Sequence, residues 1–420
     1  MALPIFHGPT FLDLCNKNLV EGNNYADVGW WACLNTVIAM VIQRRAIHSD
    51  YQTVSEISWR FFKNAFSVYR EIVSGQPSIL SAQALLSMAL FLGGTADTKT
   101  MMLVVLDAAR MIQQLELHRD GMACSVEVEQ RHRIFWSAYI LRNVANGHFG
   151  LSSGLETIPN ARLPAELPSD GVGTFITSGG HTINLFRYRV QVAIIESKAT
   201  GYLTRSCSTP QIMYDCAVDL ASELESLRES IPSDIRPAYG TTPSIGTDNL
   251  SLVMLHCTFY WCANIIQKVI SLYHKSMHAL HQDRQLHQFI SLSTNAPRAT
   301  IALLQMVIEL PSFPDLWILL RYQLCAAVML LNNIFQDPTS PRAKLDVCLI
   351  KNLLQYAQKI QGEGSDLRGF LRGCLILEQA GKAAIFGTAY LREDSDSDVR
   401  ATISLGSQEI LRTQLTFWGV

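Results

Sequence analysis

Apolar residues recur every three or four positions along most of the chain, which is the spacing of one face of an α-helix. In the stretch 100–118, seven of them fall on a single face: Met101, Val104, Val105, Ala108, Met111, Ile112 and Leu115. The stretch 128–145 repeats the pattern with Ile134, Phe135, Ala138, Leu141 and Ala145. No run of alternating β-branched residues bounded by turns stands out. The pattern predicts an all-α fold, a large irregular domain of packed helices with no regular repeat.

The polar residues of the second stretch fall between its apolar positions. Arg131, His132 and Arg142 lie off the apolar face, so we expect these three side chains to point away from the core. Glu127 and Glu129 fall in the first turn, where negative charge suits the helix dipole.

Glycine, proline and capping residues mark the helix boundaries. The sequence GQPS at 75–78 precedes one predicted helix, and Gly93-Gly94 ends it before Asp97 or Thr98 caps the next. The stretch 147–180 is irregular, with three prolines and many glycines. A second break, IPSDIRPAYGTTPSIGTDN at 231–249, is the best candidate linker. It predicts an N-terminal helical part at 1–230 and a C-terminal helical part of the same region at 250–420.

Composition and charge narrow the class of protein. Hydrophobic residues make up 48% of the 420 residues and charged residues 17%, and the formal net charge is -2. Nucleic-acid-binding modules are usually basic, because neutralising phosphates supplies much of their affinity. The chain itself is therefore a poor candidate for direct DNA binding. None of its ten cysteines forms a C-x-x-C pair, and with no secretory signal at the N-terminus we expect reduced, buried thiols.

Two apolar stretches, 250–273 and 316–335, are long enough to test for membrane insertion. The first contains His256, Asn264, Gln267 and Lys268, and the second contains Arg321 and Gln323. Charged and amide groups at the centre of a bilayer are costly, so we expect buried helices and no membrane partner.

Two motifs resemble parts of catalytic sites. His118-Arg119-Asp120 matches the start of a kinase catalytic loop, but position 125 is Ser rather than the required Asn, and no glycine-rich loop or Asp-Phe-Gly accompanies it. The sequence GLSSG at 150–154 fits the serine nucleophile elbow, but a helix precedes it where the elbow needs a strand. We interpret the first as a helix terminus and the second as a loop.

Two other motifs resemble metal sites. Four histidines follow helical spacing: His274, His278, His281 and His287. No nearby Cys or carboxylate completes a tetrahedral zinc set, which favours an exposed, titratable helix face. The acidic stretch 394–398 begins like a calcium loop, but Val399 replaces the required Gly. The sequence predicts no catalytic residue, no cofactor-binding residue, no metal ligand and no cofactor.

Several short motifs, taken in order, resemble the fungal-specific transcription factor domain, the regulatory region of fungal zinc-cluster (Zn2Cys6) transcription factors. They are PIFHGPTF at 4–11, SAQALLSMALFL at 81–92, LELHRD at 115–120, RHRIFWSAYILRN at 131–143, LESLRESIPSDIRP at 224–237 and NNIFQDPTSPRAKLDVCLIKNLLQYAQKI at 332–360. No single motif is diagnostic, and the strength of the resemblance lies in their order. One departure is TIPNARLPAELP at 157–168, where the family has acidic residues and a DVPLP sequence.

The resemblance implies structural roles for the quoted residues. Phe135, Trp136, Tyr139 and Leu141 would be core or groove-lining, the basic residues before them would form an exposed flank, and the motif at 118–120 would be a structural helix terminus. It also implies a non-enzymatic nuclear regulator of transcription that controls a metabolic or secondary-metabolite gene cluster. The partners it implies are other transcription factors or coregulators, and it leaves room for a small-molecule effector and a homodimer.

The zinc cluster of the family is not found in this sequence. That cluster needs six closely spaced cysteines, and only Cys15 and Cys33 precede residue 100. DNA contact is therefore expected only indirectly or through an upstream zinc cluster that this sequence does not contain.

The alternative hypothesis is a helical small-molecule-binding or scaffold protein with no role at promoters. An all-α enzyme is a third alternative, but no acid, base or metal constellation supports it.

Overall fold

A computed structural model describes residues 3–19, 27–45, 51–95, 97–119, 125–149, 161–204, 209–238, 250–274, 289–290, 293–306, 313–361 and 367–386. Helices make up nearly all of the regular structure in these ranges, which confirms the all-α prediction. The first seven are α1 (Gly8–Leu19), α2 (Val28–Arg45), α3 (Tyr51–Ser67), α4 (Tyr69–Ser74), α5 (Ile79–Gly93), α6 (Thr98–Gln114) and α7 (Ser125–Phe149). The others are α8 (Leu185–Thr204), α9 (Pro210–Ser230), α10 (Leu250–His274), α11 (Ala296–Met306), α12 (Phe313–Gln336), α13 (Ala343–Gln361) and α14 (Arg368–Phe386).

Helix α5 lies at the centre of the N-terminal core, which consists of buried apolar side chains of α2–α7, of the segment before α1 and of the first half of α8. It begins where Ser78 accepts a hydrogen bond from the backbone N–H of Ser81, and it ends at Gly93, as the sequence predicted. Asp97 then caps α6 by accepting from the N–H of Thr100. Apolar side chains cover α5 on all sides, because α2, α6, α7 and α12 all pack against it.

Two of the quoted motifs, and the residue that precedes a third, meet at the backbone oxygen of Ile5. The side-chain amide of Gln83, on α5, donates to this oxygen at 2.8 Å, and the amide of Gln130, on α7, donates to it as well. The segment before α1 is thereby fixed against both helices, with Leu3 and Ile5 in the N-terminal core.

A small hairpin between α7 and α8 was not predicted from the sequence. Strands β1 (Thr174–Ile176) and β2 (Thr182–Asn184) pair antiparallel, with Phe175 opposite Ile183. The turn closes when the N–H of Gly180 donates to the oxygen of Thr177, and Gly180 adopts a φ of +79°, which favours glycine. With three residues each, these strands are too short to give a legible alternating pattern.

Helices on both sides of the predicted linker share one central core. Helices α8 and α9 pack against α10, which follows the break, and buried side chains of all three form a continuous cluster. Residues just after α9 are also held on α10. Tyr260 donates its hydroxyl to the oxygen of Ala238, and the imidazole of His256 donates to the oxygen of Ile235 at 2.8 Å. Residues 239–249 lie outside the described ranges, so the division of the chain into two helical parts remains a prediction.

The C-terminal core consists of buried side chains from α11–α14. Arg298, before the middle of α11, reaches α13 and forms a two-pronged ion pair with Asp346, both distances being 2.7 Å. Among the described residues, Leu250–Ile270 of α10 and Leu316–Gln336 of α12 are long and apolar enough to cross a membrane. However, 78% and 61% of their most apolar windows are buried inside the protein. Both therefore serve as core helices of this fold.

Candidate functional site

A cavity of about 60 Å³ lies where the three cores meet. Leu3, α5, α6, α7, α8, α10 and α12 form its walls. A single water needs about 10–15 Å³ of such space, so the cavity has room for several waters or for part of a small molecule. Ligand sites in proteins are usually concave, mostly apolar and provided with a few polar groups, and this cavity has that character.

Each helix contributes side chains at helical spacing. Helix α7 presents Ile140, Leu141 and Val144, and α10 presents Met254 and Trp261. Helix α12 contributes Ile318, Arg321, Tyr322 and Cys325, which are spaced so that they share one face. Helix α8 adds the two charged residues Arg189 and Glu196, separated by two turns. The periodicity of four helices thus places one acidic and two basic side chains among apolar ones.

Glu196 is the acidic group of the cavity. It is buried, and its Oε1 accepts a hydrogen bond from the indole Nε1–H of Trp261 at 2.9 Å. Burial disfavours the charged form and raises the pKa of this carboxyl to about 7, although the indole bond acts in the opposite direction. Glu196 is therefore poised to change charge near neutral pH.

Arg321, on α12, is a positively charged residue of the cavity wall. It is buried at 3% exposure, and its Nη2 donates to the backbone oxygen of Thr95 at 3.1 Å. Nη1 lies 3.5 Å from the sulfur of Met101, a weak acceptor, and Nε has no hydrogen-bond partner. Burial lowers the pKa of this guanidinium to about 10, which still leaves it charged at neutral pH.

The remaining polar groups of the cavity are neutral or cationic. Burial raises the pKa of the Tyr322 hydroxyl and raises the pKa of the Cys325 thiol to about 12, so both stay protonated. Burial also lowers the pKa of Arg189. A protonated thiol is not a nucleophile, and the cavity has the character of a binding site rather than of a catalytic one.

The basic cluster at 131–133 was expected to be an exposed flank, and this expectation was wrong for His132 and Arg133, whereas Arg131 is half-buried. His132 and Arg133 are buried, because α7 packs between α6 and α8 and the segment 161–170 covers its N-terminal half. Arg133 forms a two-pronged ion pair with Asp170 at 2.6 and 2.7 Å, and this pair lowers the pKa of Asp170. Trp136 donates its indole N–H to the oxygen of Arg162, which holds the same segment.

Arg142 was also expected to point away from the core, and the structure places it inside. It is 3% exposed and its guanidinium lies 5.4 Å from the centroid of the Tyr139 ring, a cation–π contact. None of its three guanidinium nitrogens has a hydrogen-bond partner. Burial lowers the pKa of Arg142 to about 10. The apolar roles expected for Phe135, Trp136, Tyr139 and Leu141 agree with their burial.

Most other sequence motifs lie away from the cavity or outside the described residues. His118 contacts the ring of Phe135 with centroids 5.8 Å apart, and Arg119 pairs with Glu116, in the turn that follows α6. This placement agrees with a helix terminus, although Asp120 itself is not described. The motifs at 150–154 and 394–398 and the side chains of the four histidines at 274–287 also lie outside the described residues. Within the described ranges, no three His, Cys, Asp or Glu side chains come together as a metal site would require.

The sequence reasoning did not identify the polar groups of the cavity. Arg321 was noted only as a residue that makes membrane insertion costly, and Glu196 was not singled out. The available signal was a charged residue within an otherwise apolar helical stretch, WILLRYQLC for Arg321. Such a residue must find a partner, solvent or a cavity when the helix is buried.

Comparisons with known proteins identify one family model and two Aspergillus relatives that match this chain. Residues 1–228 match the model of the fungal specific transcription factor domain. The chain is 32% identical over 388 residues to an ABC-transporter-regulating transcription factor of Aspergillus oryzae, covering 86% of this chain and 43% of that protein. It is 31% identical over 409 residues to an ABC-transporter-regulating transcription factor of Aspergillus fumigatus, covering 91% and 45%.

A third relative is more distant. The Fusaridione A cluster transcription factor of Fusarium heterosporum is 24% identical over 370 residues, which cover 84% of this chain and 68% of that protein.

The chain spans less than half the length of the two Aspergillus relatives. No solved structure matches the chain.

Proposed function

The chain belongs to the fungal specific transcription factor domain family, and from this premise we propose that it is the effector-responsive regulatory region of a nuclear transcription factor that controls ABC-transporter genes. The family itself, which the ordered motifs indicated, is one of transcription regulators and not of enzymes. We propose ABC-transporter genes as the targets because the chain is similar, along 86% and 91% of its length, to two ABC-transporter-regulating transcription factors.

The position of the cavity supports an effector-responsive domain. Its walls include α7 from the N-terminal core, α8 and α10 from the central core, and α12 from the C-terminal core. A molecule bound there would contact helices of all three cores. The binding free energy of that molecule would then depend on how the three cores pack against one another. The molecule would therefore favour one packing arrangement of the cores over another.

DNA recognition is assigned to another segment or to a partner. The chain has 34 basic and 36 acidic residues, and its cysteines do not form a six-cysteine zinc cluster. The regulatory region would therefore act through an attached DNA-binding module, another transcription factor or a coregulator. A homodimer is compatible with this proposal and is not required by it.

Promoter occupancy in the native fungus tests the proposal. The protein would be tagged at its own locus, and chromatin immunoprecipitation would be combined with transcript profiles of a deletion strain, with an untagged strain as control. We expect enrichment at promoters of ABC-transporter genes and altered transcripts from the same genes. Enrichment confined to genes of a secondary-metabolite cluster would correct the target class, following the third relative. Absence of enrichment at every promoter would overturn the proposal in favour of a binding or scaffold protein.

A further inference from the structure

The guanidinium of Arg321 is buried, and few of its N–H groups donate a hydrogen bond. A guanidinium has five N–H donors, and a buried charge is costly unless acceptors surround it. The partners of Arg321 are one backbone oxygen, of Thr95, and the sulfur of Met101, and neither is an anion. Its Nε lacks a partner although the side chain is 3% exposed. The cavity wall therefore contains a cation that requires further acceptors.

The rest of the cavity does not supply a permanent counter-charge. Leu90, Ile140, Leu141 and Val144 are apolar. Glu196 is bound by the indole of Trp261, and the groups that act on the pKa of Arg321 are the protonated side chains of Tyr322 and Cys325 rather than a carboxylate. A molecule that matches these walls has one negative group and a hydrocarbon body.

We propose that the cavity binds a short-chain monocarboxylate, with the carboxylate on Arg321 and the hydrocarbon chain against the apolar side chains of α5, α7 and α12. A carboxylate fits because its two oxygens match the planar fork of a guanidinium. A phosphate is bulkier and more strongly charged than a carboxylate, and the mostly apolar walls and the volume of about 60 Å³ favour a small molecule with a single negative charge. This proposal names the effector class of the proposed function and depends on it only for the effect on transcription.

Chain length gives a quantitative test with the purified full chain. Affinities for acetate, propionate, butyrate, valerate and hexanoate would be measured by isothermal titration calorimetry, with the matched primary alcohols as uncharged controls. Burial of one methylene contributes about 0.8 kcal/mol, so each added methylene should tighten binding roughly fourfold until the cavity is full. Each carboxylate should bind at least tenfold more tightly than the alcohol of equal length. No binding of any acid, or equal binding of acids and alcohols, would overturn the proposal.

Variants identify the anchoring residue. Arg321→Met should remove the preference for acids over alcohols while alcohols still bind. Arg142→Met is the matched control, because Arg142 is an equally buried arginine that does not line the cavity. It should leave the acid affinities within twofold of those of the unchanged protein. Loss of acid binding in Arg142→Met but not in Arg321→Met would overturn the assignment.

Gly93 provides a second variant in case Arg321→Met does not fold. It is the last residue of α5 and lines the cavity, and an added Cβ would meet only Met101, at an ordinary contact distance of 3.9 Å. Gly93→Ala should therefore fold and shorten the best-fitting acid by about one carbon. An unchanged preference for chain length would overturn the proposal.

The binding assay and the promoter assay distinguish this inference from the proposed function. If no acid binds but promoter enrichment is intact, only this inference fails. If acids bind but no promoter is enriched, only the proposed function fails.

Discussion

Replacing Glu196 by glutamine isolates the effect of one buried ionisable group on stability. The amide oxygen of glutamine can still accept the hydrogen bond from the indole N–H of Trp261, which lies 2.9 Å from Oε1 of Glu196. The substitution therefore keeps the size of the side chain and this contact; it removes the ionisation and places an NH2 group where the second carboxyl oxygen was. Any difference between the two proteins that depends on pH then comes from the carboxyl group.

The magnitude follows from the raised pKa. Burial raises the pKa of Glu196 from 4.5 to about 7, and a difference of this size corresponds to roughly 3 kcal/mol. Between these two pH values the folded protein retains a proton that the unfolded chain releases. The contribution of this group to stability is thus fully present below pH 4.5 and is lost as the pH rises through 7. Glu196→Gln should match the unchanged protein near pH 4.5 and be more stable by up to about 3 kcal/mol at pH 8.

Urea denaturation at pH 5, 6, 7 and 8 measures this difference. Glu223→Gln is a suitable control, because Glu223 is exposed and pairs with Lys198 at the surface. Surface ion pairs contribute about 1 kcal/mol or less, so this control should give a small difference with little dependence on pH. If the advantage of Glu196→Gln stays constant from pH 5 to pH 8, Glu196 does not titrate in this range and the reasoning fails.

Three further substitutions test the packing and the electrostatics. Asp170→Asn leaves the buried guanidinium of Arg133 without its main ion pair and should cost about 3 kcal/mol in urea denaturation; a loss below 1 kcal/mol would contradict this. Phe91→Ala opens the N-terminal core and should cost about 3–5 kcal/mol, whereas an unchanged denaturation midpoint would show that the side chain is not buried. Burial lowers the pKa of His256 from 6.5 to about 4, so its contribution to stability is lost as the pH falls through 4. His256→Gln can keep the bond to Ile235 and should resist acid unfolding better between pH 6.5 and 4; equal acid sensitivity would contradict this.

The helices were predictable because their signals are local. The end of α5 at Gly93 follows from a residue type that favours this position, and the structure confirms it; of the two capping residues that the sequence offered for α6, Asp97 and Thr98, the structure selects Asp97. The hairpin at 174–184 was missed because two three-residue strands depend on a tight turn and on contacts with α8 rather than on a pattern of their own.

The cavity could not be predicted from periodicity, because the pattern of one helix does not show what its polar face meets. Arg142 lies off the apolar face of α7, which for a surface helix would mean contact with solvent. Since α6 and α8 pack against α7, the same position is buried. For the same reason, Glu196 and Arg321 line one cavity only through tertiary packing, because they lie on α8 and α12, which are far apart in the sequence.

The central claim is that this chain is a regulatory region whose activity responds to an effector, and a tethering assay tests it most directly. The full chain would be fused to an unrelated DNA-binding domain and expressed in a fungal host that contains a reporter gene with the matching binding sites. The account predicts that reporter transcription differs from that of the DNA-binding domain alone and changes when hexanoate is added. It also predicts that Arg321→Met removes this change and that Arg142→Met retains it. A fusion that leaves the reporter at the level of the DNA-binding domain alone, with and without hexanoate, would contradict the account.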